Sequence, residues 1–271
     1  MTILDTGVKI VRNVGRFTFG DGAVTGVADL VAAKRNEKSS HAVFLIDDYF
    51  KDEYYIASSL GAKPIDAVHF VSTVEEPTTQ GIDELVIELK KSGHSEPATI
   101  VGFGGGITLD TAKAISNLLT NGGKAADYQG WDLVRVPGVH KIGVPTISGT
   151  GSEATRTCVM TNIDTGLKLG MNSDFTVFDH VVLDPNLTRT VPRNQYFYTG
   201  MDAYIHCIEA LAGSYRNAIG DAYSRETVNL CRNVFLSNDM MTDERRSDLM
   251  VASYLGGCAI ATSYVGVVHP F

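Results

Sequence analysis

The stretch ATIVGFGGGITLDTAKAISNLL, residues 98–119, joins an apolar run, three consecutive glycines and a segment with helical spacing. Its first part, Ala98–Phe103, predicts a buried β-strand, and the apolar positions of Leu109–Leu119 predict a helix. The glycines permit a tight turn in which backbone amides and the positive end of the helix dipole can meet a phosphate. We therefore expect either a phosphate-binding turn or an ordinary glycine-rich link between a strand and a helix.

The same alternation continues on both sides of this stretch. Apolar runs predict further strands at His41–Ile46, Ala67–Val71 and Lys141–Pro145, and helical spacing recurs over Gly81–Ser92. Strands that alternate with helices in this way indicate a mostly parallel sheet covered on both faces. The first part of the chain is therefore predicted to be an α/β domain.

From Pro192 onward the strand patterns end and only helical patterns remain. Helices are predicted at Tyr198–Ala212, Ala222–Leu236 and Asp243–Val268. The last of them contains an uncharged stretch, Leu249–Val268, which is long enough to span a membrane, but its serines, tyrosines and glycines favour a buried central helix. We thus divide the chain into an α/β domain, residues 1–192, and an all-α domain, residues 193–271.

Composition and charge restrict the classes of partner. The 271 residues include 31 acidic and 23 basic ones, and the formal net charge of −8 argues against a nucleic-acid backbone or an anionic membrane surface. Four cysteines without a C-x-x-C pair form neither a disulfide framework nor a zinc-finger pattern. The first residues lack the basic and then apolar run of a secretory signal, so we expect a cytoplasmic protein.

Two further segments could contribute to a nucleotide-binding site. Asp47 follows the strand His41–Ile46, where a carboxylate can accept hydrogen bonds from both ribose hydroxyls of an adenosine and would repel a 2′-phosphate. A turn or helix-cap role for Asp47 is the alternative. In the loop Pro145–Thr155 (PTISGTGSEAT), hydroxyl residues alternate with small ones, so side chains and amides can both reach a polar ligand. Hydroxyls that satisfy their own backbone are equally compatible with this pattern.

Asp202 and His206 form the most informative pair, because residues four apart lie on one face of a helix and could share a metal ion. The alternatives are a capping box formed by Thr199 and Asp202, and a histidine that is simply buried in the core. His269 favours the metal interpretation, because it is the only ionisable group at the end of the uncharged stretch. Two histidines and one carboxylate suit divalent iron, and zinc, cobalt and manganese are also compatible.

These segments resemble the iron-containing (group III) metal-dependent alcohol dehydrogenases, which share a fold with glycerol dehydrogenase and dehydroquinate synthase. The matching positions are Gly104–Gly106 with Asp110 and Lys113, Pro145–Glu153, Lys168, Asp184–Pro185, Gly200–His206 and Gly266–His269. The resemblance implies a Rossmann-like parallel-sheet domain that binds NAD in preference to NADP, followed by an all-α metal-binding domain. It also implies that the second domain is incomplete at its C-terminus, with a further metal ligand beyond Phe271.

Carried over residue by residue, the resemblance implies a catalytic divalent metal held by Asp202, His206 and His269. The positions assigned to the nucleotide are Asp47, Gly105, Gly106, Ile107, Asp110, Thr146, Ser148, Thr150 and Lys168. Two positions depart from the family pattern, since Ile107 stands where serine is common and Glu76 stands where asparagine is common. A homodimer that acts on a small molecule is also implied.

We therefore expect a metal-dependent oxidoreductase that oxidises a hydroxyl of a small polyol or sugar acid. In such a reaction a cation stabilises the charge that develops on the substrate oxygen, and hydride passes to the nicotinamide. Two alternatives stay open. The first is a lyase or cyclase of the dehydroquinate synthase branch, and the second is a relative that binds nucleotide without turnover.

Overall fold

The computed structural model describes residues 11–53, 55–266, 268 and 269. They form two compact units. The sheet unit comprises Val14–Thr146 and Arg156–Asp184, and the helical unit comprises residues 11–13, Ile147–Thr155 and the described part of the chain from Pro185 onward. The chain leaves the sheet unit after Thr146 and returns to it at Arg156. The short loop between these two points belongs to the helical unit.

The sheet unit is built on a six-stranded, all-parallel sheet in the order β1-β9-β6-β4-β2-β3, and a smaller sheet has the order β5-β8-β7. Its strands are β1 (Arg16–Phe19), β2 (Val43–Asp47), β3 (Ala67–Val71), β4 (Ile100–Gly104), β5 (Gly130–Trp131), β6 (Lys141–Pro145), β7 (Thr157–Asn162), β8 (Leu167–Asn172) and β9 (His180–Leu183). Its helices are α1 (Val27–Ala32), α2 (Ile56–Ser59), α3 (Thr79–Lys91) and α4 (Gly106–Asn121).

The central strands explain why this sheet is parallel and covered on both faces. Strands β4 and β6 are buried at every position, and β2 is buried at all but its last. Such continuous apolar strands suit a sheet that packs against other elements on both sides. The register pairs Ile46 with Phe103 and Gly104 with Pro145, so the carboxyl ends of β2, β4 and β6 meet at one edge. Ligands of open α/β sheets bind at this edge.

The helical unit consists of three long helices, α5 (Arg193–Ala212), α6 (Ala218–Phe235) and α7 (Asp243–Ser263). Polar caps begin two of them: the Asn217 side chain accepts from the amide of Gly220, and Thr242 accepts from the amide of Arg245. The three helices share an apolar core made of Tyr196, Ala203, Cys231, Val234, Met240, Leu249 and Ala252. Burial of these apolar side chains contributes to the stability of the unit.

The predicted α/β architecture, a parallel sheet followed by helices, is confirmed. The four predicted strands correspond to β2, β3, β4 and β6, whereas the short or exposed strands had no comparable apolar signal. The contacts group Ile147–Thr155 with the helices, although the sequence-based division at residue 192 assigns this loop to the first domain.

The uncharged stretch after Leu249 is only partly helical. Helix α7 ends at Ser263, because Tyr264 adopts a positive φ of 60°, so the prediction of a helix through Val268 is wrong for its last turn. Up to Ser263 the stretch is largely buried, as predicted. No helix in the described ranges combines the length and the apolarity needed to cross a bilayer.

Candidate active site

Helix α5 carries two of the three predicted metal ligands. Asp202 and His206 lie four residues apart in its interior, on one face. The helix begins at Arg193, so Thr199 and Asp202 are not at an N-terminus, and the capping-box interpretation is wrong. The Thr199 hydroxyl instead donates to the carbonyl of Gln195, at 2.8 Å.

His269 joins this pair from beyond the end of α7. Its Nε2 lies 3.0 Å from Oδ1 of Asp202, and Nε2 of His206 lies 3.8 Å from the same oxygen. The two imidazole rings are stacked, with centroids 4.0 Å apart and planes inclined by 17°. One donor atom from each residue lies within 4.8 Å of the other two, so the three side chains that the sequence singles out do converge.

The donor set fits a divalent cation. The His206 side chain is only 8% exposed, and its Nδ1 has no hydrogen-bond partner among the residues that the structure describes. His206 also stacks on His269 and lies 3.8 Å from the Asp202 carboxylate, so a histidine packed only among apolar side chains is a poor explanation of it. The Asp202 side chain is 36% exposed and that of His269 is 21% exposed, which leaves one side of the set open to a small molecule. One carboxylate and two imidazoles form a donor set that suits divalent iron.

The electrostatics of the two rings differ. Burial lowers the pKa of His206 to about 4, against the weaker opposing effect of Asp202. The ring is therefore neutral at pH 7 and can act as a ligand without losing a proton. Burial also lowers the pKa of His269, but hydrogen bonds to Asp202 and Glu209 outweigh it, and the net pKa is raised.

Glu209 is a residue of this site that the sequence analysis missed. Its Oε2 contacts Nδ1 of His269, and its Oε1 accepts from the backbone amide of Val268. The hydrogen bonds from these two groups lower its pKa although burial raises it. Glu209 follows His206 by three residues and Asp202 by seven, and this helical spacing is the signal that could have identified it.

In the sheet unit, the turn after β4 lies against Asp47. A Cβ built on Gly104 would lie 2.8 Å from Cβ of Asp47 and 2.7 Å from Oγ1 of Thr108, and Gly104 has a positive φ of 159°. Only glycine fits such a position. Asp47 also caps a short 3-10 turn, since its Oδ1 accepts from the amide of Tyr49 at 3.0 Å. The turn-capping alternative thus holds for Asp47, and its carboxylate is at the same time partly exposed at the ligand-binding edge.

The glycine turn opens α4 at the same edge. Gly105 is the extended residue before the helix, and Gly106 and Ile107 form its first turn, all three half-buried. Amides of a first helical turn have no acceptor within the helix, so this turn can accommodate a phosphate. Thr146 is buried next to it, and its amide donates to the carbonyl of Gly104 at 3.1 Å.

Two other predicted nucleotide contacts are engaged within the protein. Oδ2 of Asp110 accepts from the amide of Val159 at 2.9 Å, and its Oδ1 lies 3.5 Å from Nζ of Lys113. Asp110 thereby connects α4 to β7, and any contact with a nucleotide would come in addition. Lys168 on β8 pairs with Glu76 at 2.5 Å, both side chains being about half exposed.

The loop Ile147–Thr155 carries the remaining predicted contacts and is anchored in the helical unit. The amide of Gly149 donates to Oγ of Ser253, which in turn donates to Oε1 of buried Glu153 at 2.7 Å. Ser148 is buried, and its Oγ has no hydrogen-bond partner among the described residues. Oγ1 of Thr150 accepts from the amide of Ser152, as in the self-capped alternative. The roles of Ser148 and Thr150 toward a nucleotide stay predictions.

Comparison with known proteins agrees with these features. Residues 15–185 match the family model described as iron-containing alcohol dehydrogenase, and residues 196–271 match the C-terminal model of the Fe-containing alcohol dehydrogenase family. The sulfoacetaldehyde reductase of Bilophila wadsworthia is 32% identical over 263 residues, which cover 94% of this chain and 66% of the reductase. The chain spans between about half and two thirds of the length of the curated relatives it matches.

Solved structures share the fold. An alcohol dehydrogenase from Oenococcus oeni superposes with a TM-score of 0.84 at 24% identity, over 97% of this chain and 69% of that one. A sulfoacetaldehyde reductase from Bifidobacterium kashiwanohense, solved in complex with NAD+, gives a TM-score of 0.79 at 23% identity, over 95% of this chain and 68% of that one. With the two family matches together covering most of its length, the chain belongs to the iron-containing alcohol dehydrogenase family.

Proposed function

We propose that the protein is a metal- and NAD-dependent oxidoreductase that interconverts an alcohol and the corresponding carbonyl compound. The observation that supports this most directly is the convergence of Asp202, His206 and His269 within 4.8 Å of one another. Family membership supports the same reaction class. Divalent iron is the metal we expect, with zinc, cobalt or manganese as substitutes.

The chain's own groups account for how the reactants would be held. The three side chains that would bind the cation are Asp202, His206 and His269. Only Asp202 among them carries a negative charge, so part of the double positive charge of a divalent cation would stay uncompensated. The exposed side of Asp202 and His269 provides room for the substrate. A divalent cation and NAD, when bound, supply the Lewis acidity and the hydride acceptor that alcohol oxidation requires.

We propose NAD as the nucleotide and assign it to the edge formed by Asp47 and the first turn of α4. The amides of Gly106 and Ile107 would face the pyrophosphate, and Asp47 would accept from the adenosine ribose. A carboxylate at that position would repel the 2′-phosphate of NADP. The structure of the Bifidobacterium reductase is a complex with NAD+, which is consistent with this assignment.

Replacing Asp47 by serine is expected to raise kcat/KM for NADP+ about tenfold, because a like-charge contact worth about 1.4 kcal/mol is removed. Steady-state kinetics with both coenzymes would measure the change. Asp48→Ser is the matched control, since Asp48 is the next residue and is also half-buried. An unchanged ratio of NADP+ to NAD+ use in Asp47→Ser would remove Asp47 from the coenzyme site.

For the substrate we propose a sugar acid, specifically the 8-hydroxyl of 3-deoxy-manno-octulosonate, oxidised to an aldehyde. Three segments support it by their similarity to the bacterial 3-deoxy-manno-octulosonate 8-oxidase: YQGWDL at 128–133, GMNSD at 170–174 and FYTGMD at 197–202. Sulfoacetaldehyde, named in the relatives from Bilophila and Bifidobacterium, is the competing candidate. Both molecules are small anions: the octulosonate has a hydroxyl that can be oxidised, and sulfoacetaldehyde has an aldehyde that can be reduced.

The test is turnover by the Fe2+-loaded protein. We expect octulosonate to yield its aldehyde with formation of NADH, or with oxygen consumption if oxygen is the final acceptor as the oxidase resemblance suggests. Reduction of sulfoacetaldehyde by NADH, without octulosonate turnover, would reject the sugar-acid assignment but keep the oxidoreductase. Net recycling of NAD would favour the lyase or cyclase alternative, and nucleotide binding without any turnover would favour the inactive relative.

A homodimer in the cytoplasm, without nucleic-acid or membrane partners, remains part of the proposal. The family resemblance supports the homodimer, and the negative net charge argues against nucleic-acid and anionic membrane partners. The molar mass in solution would test the dimer.

A further inference from the structure

Glu209 lies on the face of α5 that carries the metal ligands. It follows Asp202 by seven residues and His206 by three, so one helix face presents all three side chains. Glu209 is only 8% exposed. A buried carboxylate is expensive unless charged or polar partners compensate it, so its contacts indicate what it is there to hold.

Both oxygens of this carboxylate are used on the short segment that follows α7. Oε1 accepts from the backbone amide of Val268, and Oε2 contacts Nδ1 of His269. The segment also passes close to the Glu209 stem, because a Cβ built on Gly266 would lie 3.1 Å from Cβ of Glu209. Glu209 therefore attaches the third ligand's backbone and its ring to the helix that supplies the other two ligands.

The third ligand needs such an attachment because no helix holds it. Asp202 and His206 are fixed by the hydrogen bonds of α5, whereas α7 ends at Ser263 and the positive φ of Tyr264 turns the chain away. The position of His269 then depends on contacts made by the segment itself. A ligating histidine commonly donates its second ring N–H to a carboxylate, which fixes the tautomer and the orientation of the ring.

We propose that Glu209 is the positioning residue of the metal centre. By holding the Nδ1 side of the His269 ring, it directs Nε2 toward the space shared with Asp202 and His206. The 3.0 Å distance between His269 Nε2 and Asp202 Oδ1 shows the ring already in this orientation. The inference rests on the proposed metal-dependent function, and it adds a specific role for a residue outside the ligand set.

Metal affinity provides a test that does not require turnover. Metal-free protein is titrated with Co2+ alone, in competition with a chelator, and the visible d–d absorption reports binding. We expect Glu209→Ala to weaken Co2+ binding 10- to 100-fold, as is typical of such outer partners. Glu209→Gln keeps one acceptor oxygen and should lose less, and it serves in place of the alanine variant if that variant does not fold. Glu226→Ala on α6 is the control, because Glu226 is exposed.

A double-mutant cycle separates positioning from a general structural role. If Glu209 acts through His269, then adding Glu209→Ala to a His269→Ala background should change Co2+ affinity by less than about twofold. Equal losses in both backgrounds would overturn the proposal, and so would unchanged affinity in Glu209→Ala or an absence of Co2+ binding by the unmodified protein. An unmodified protein that binds Co2+ tightly but turns over no alcohol would reject the proposed function and leave the role of Glu209 standing.

Discussion

Replacing His206 by alanine is expected to remove nearly all tightly bound divalent metal and to reduce kcat/KM by at least about 1000-fold. The loss of a ligand should exceed the 10- to 100-fold loss that follows removal of an outer partner. His206 has the properties of a ligand that is ready to bind, because burial holds its pKa near 4 and its ring is neutral. Its Nε2 lies 3.8 Å from Oδ1 of Asp202.

Elemental analysis of the purified variant, together with kinetics under saturating Fe2+, would measure this effect. The fold should survive, because alanine is the best helix former and position 206 lies inside a long helix. His69→Ala on β3 is a suitable control, since His69 lies in the other unit and outside every predicted site. Full metal content and activity in His206→Ala would refute the metal assignment.

Replacing Gly149 by alanine is expected to destabilise the helical unit by about 3 kcal/mol or more. A Cβ at this position would lie 1.7 Å from the carbonyl oxygen of Thr199, and Gly149 has a positive φ of 150°. The obstacle is backbone of α5, which cannot rotate away as a side chain could. Either the loop or the helix must therefore move, and the affected part of the helix lies three residues before Asp202.

The variant should consequently lose metal affinity as well as stability. Urea unfolding followed by far-ultraviolet circular dichroism would give the stability, and the Co2+ titration would give the affinity. Gly20→Ala is a closely matched control: its φ of 141° is almost the same, but nothing lies within 4 Å of its Cβ. We expect that control to cost about 1 to 2 kcal/mol, for the backbone strain alone. Equal destabilisation of the two variants would show that contact with α5 is irrelevant.

These predictions depend unequally on sequence and structure. The Asp202 and His206 pair could be predicted because a helix places residues four apart on one face, whatever the rest of the fold does. Glu209 obeys the same periodicity, but an acidic residue on a helix is usually a solvated one. Only the approach of Val268 and His269 gives the Glu209 carboxylate its partners, and that approach depends on where α7 stops.

The loop Ile147–Thr155 illustrates the same limit. Its hydroxyl and glycine pattern indicates a polar ligand, but a pattern of side chains does not show what the loop packs against. The structure anchors it to α5 and α7 through Gly149, Ser253 and Glu153. Glu153 is buried in that network, although glutamate side chains are usually exposed.

Local patterns in the sequence suffice to predict the parallel sheet, the glycine turn at the end of β4, the succession of helices and the face of α5 that carries Asp202 and His206. Each is a local consequence of hydrophobic periodicity and of the backbone freedom of glycine. The fold alone shows that α7 ends at Ser263, that His269 reaches Asp202 and that Glu209 contacts His269. The two contacts of His269 join residues 60 and 67 positions apart, and no local pattern encodes contacts of that separation.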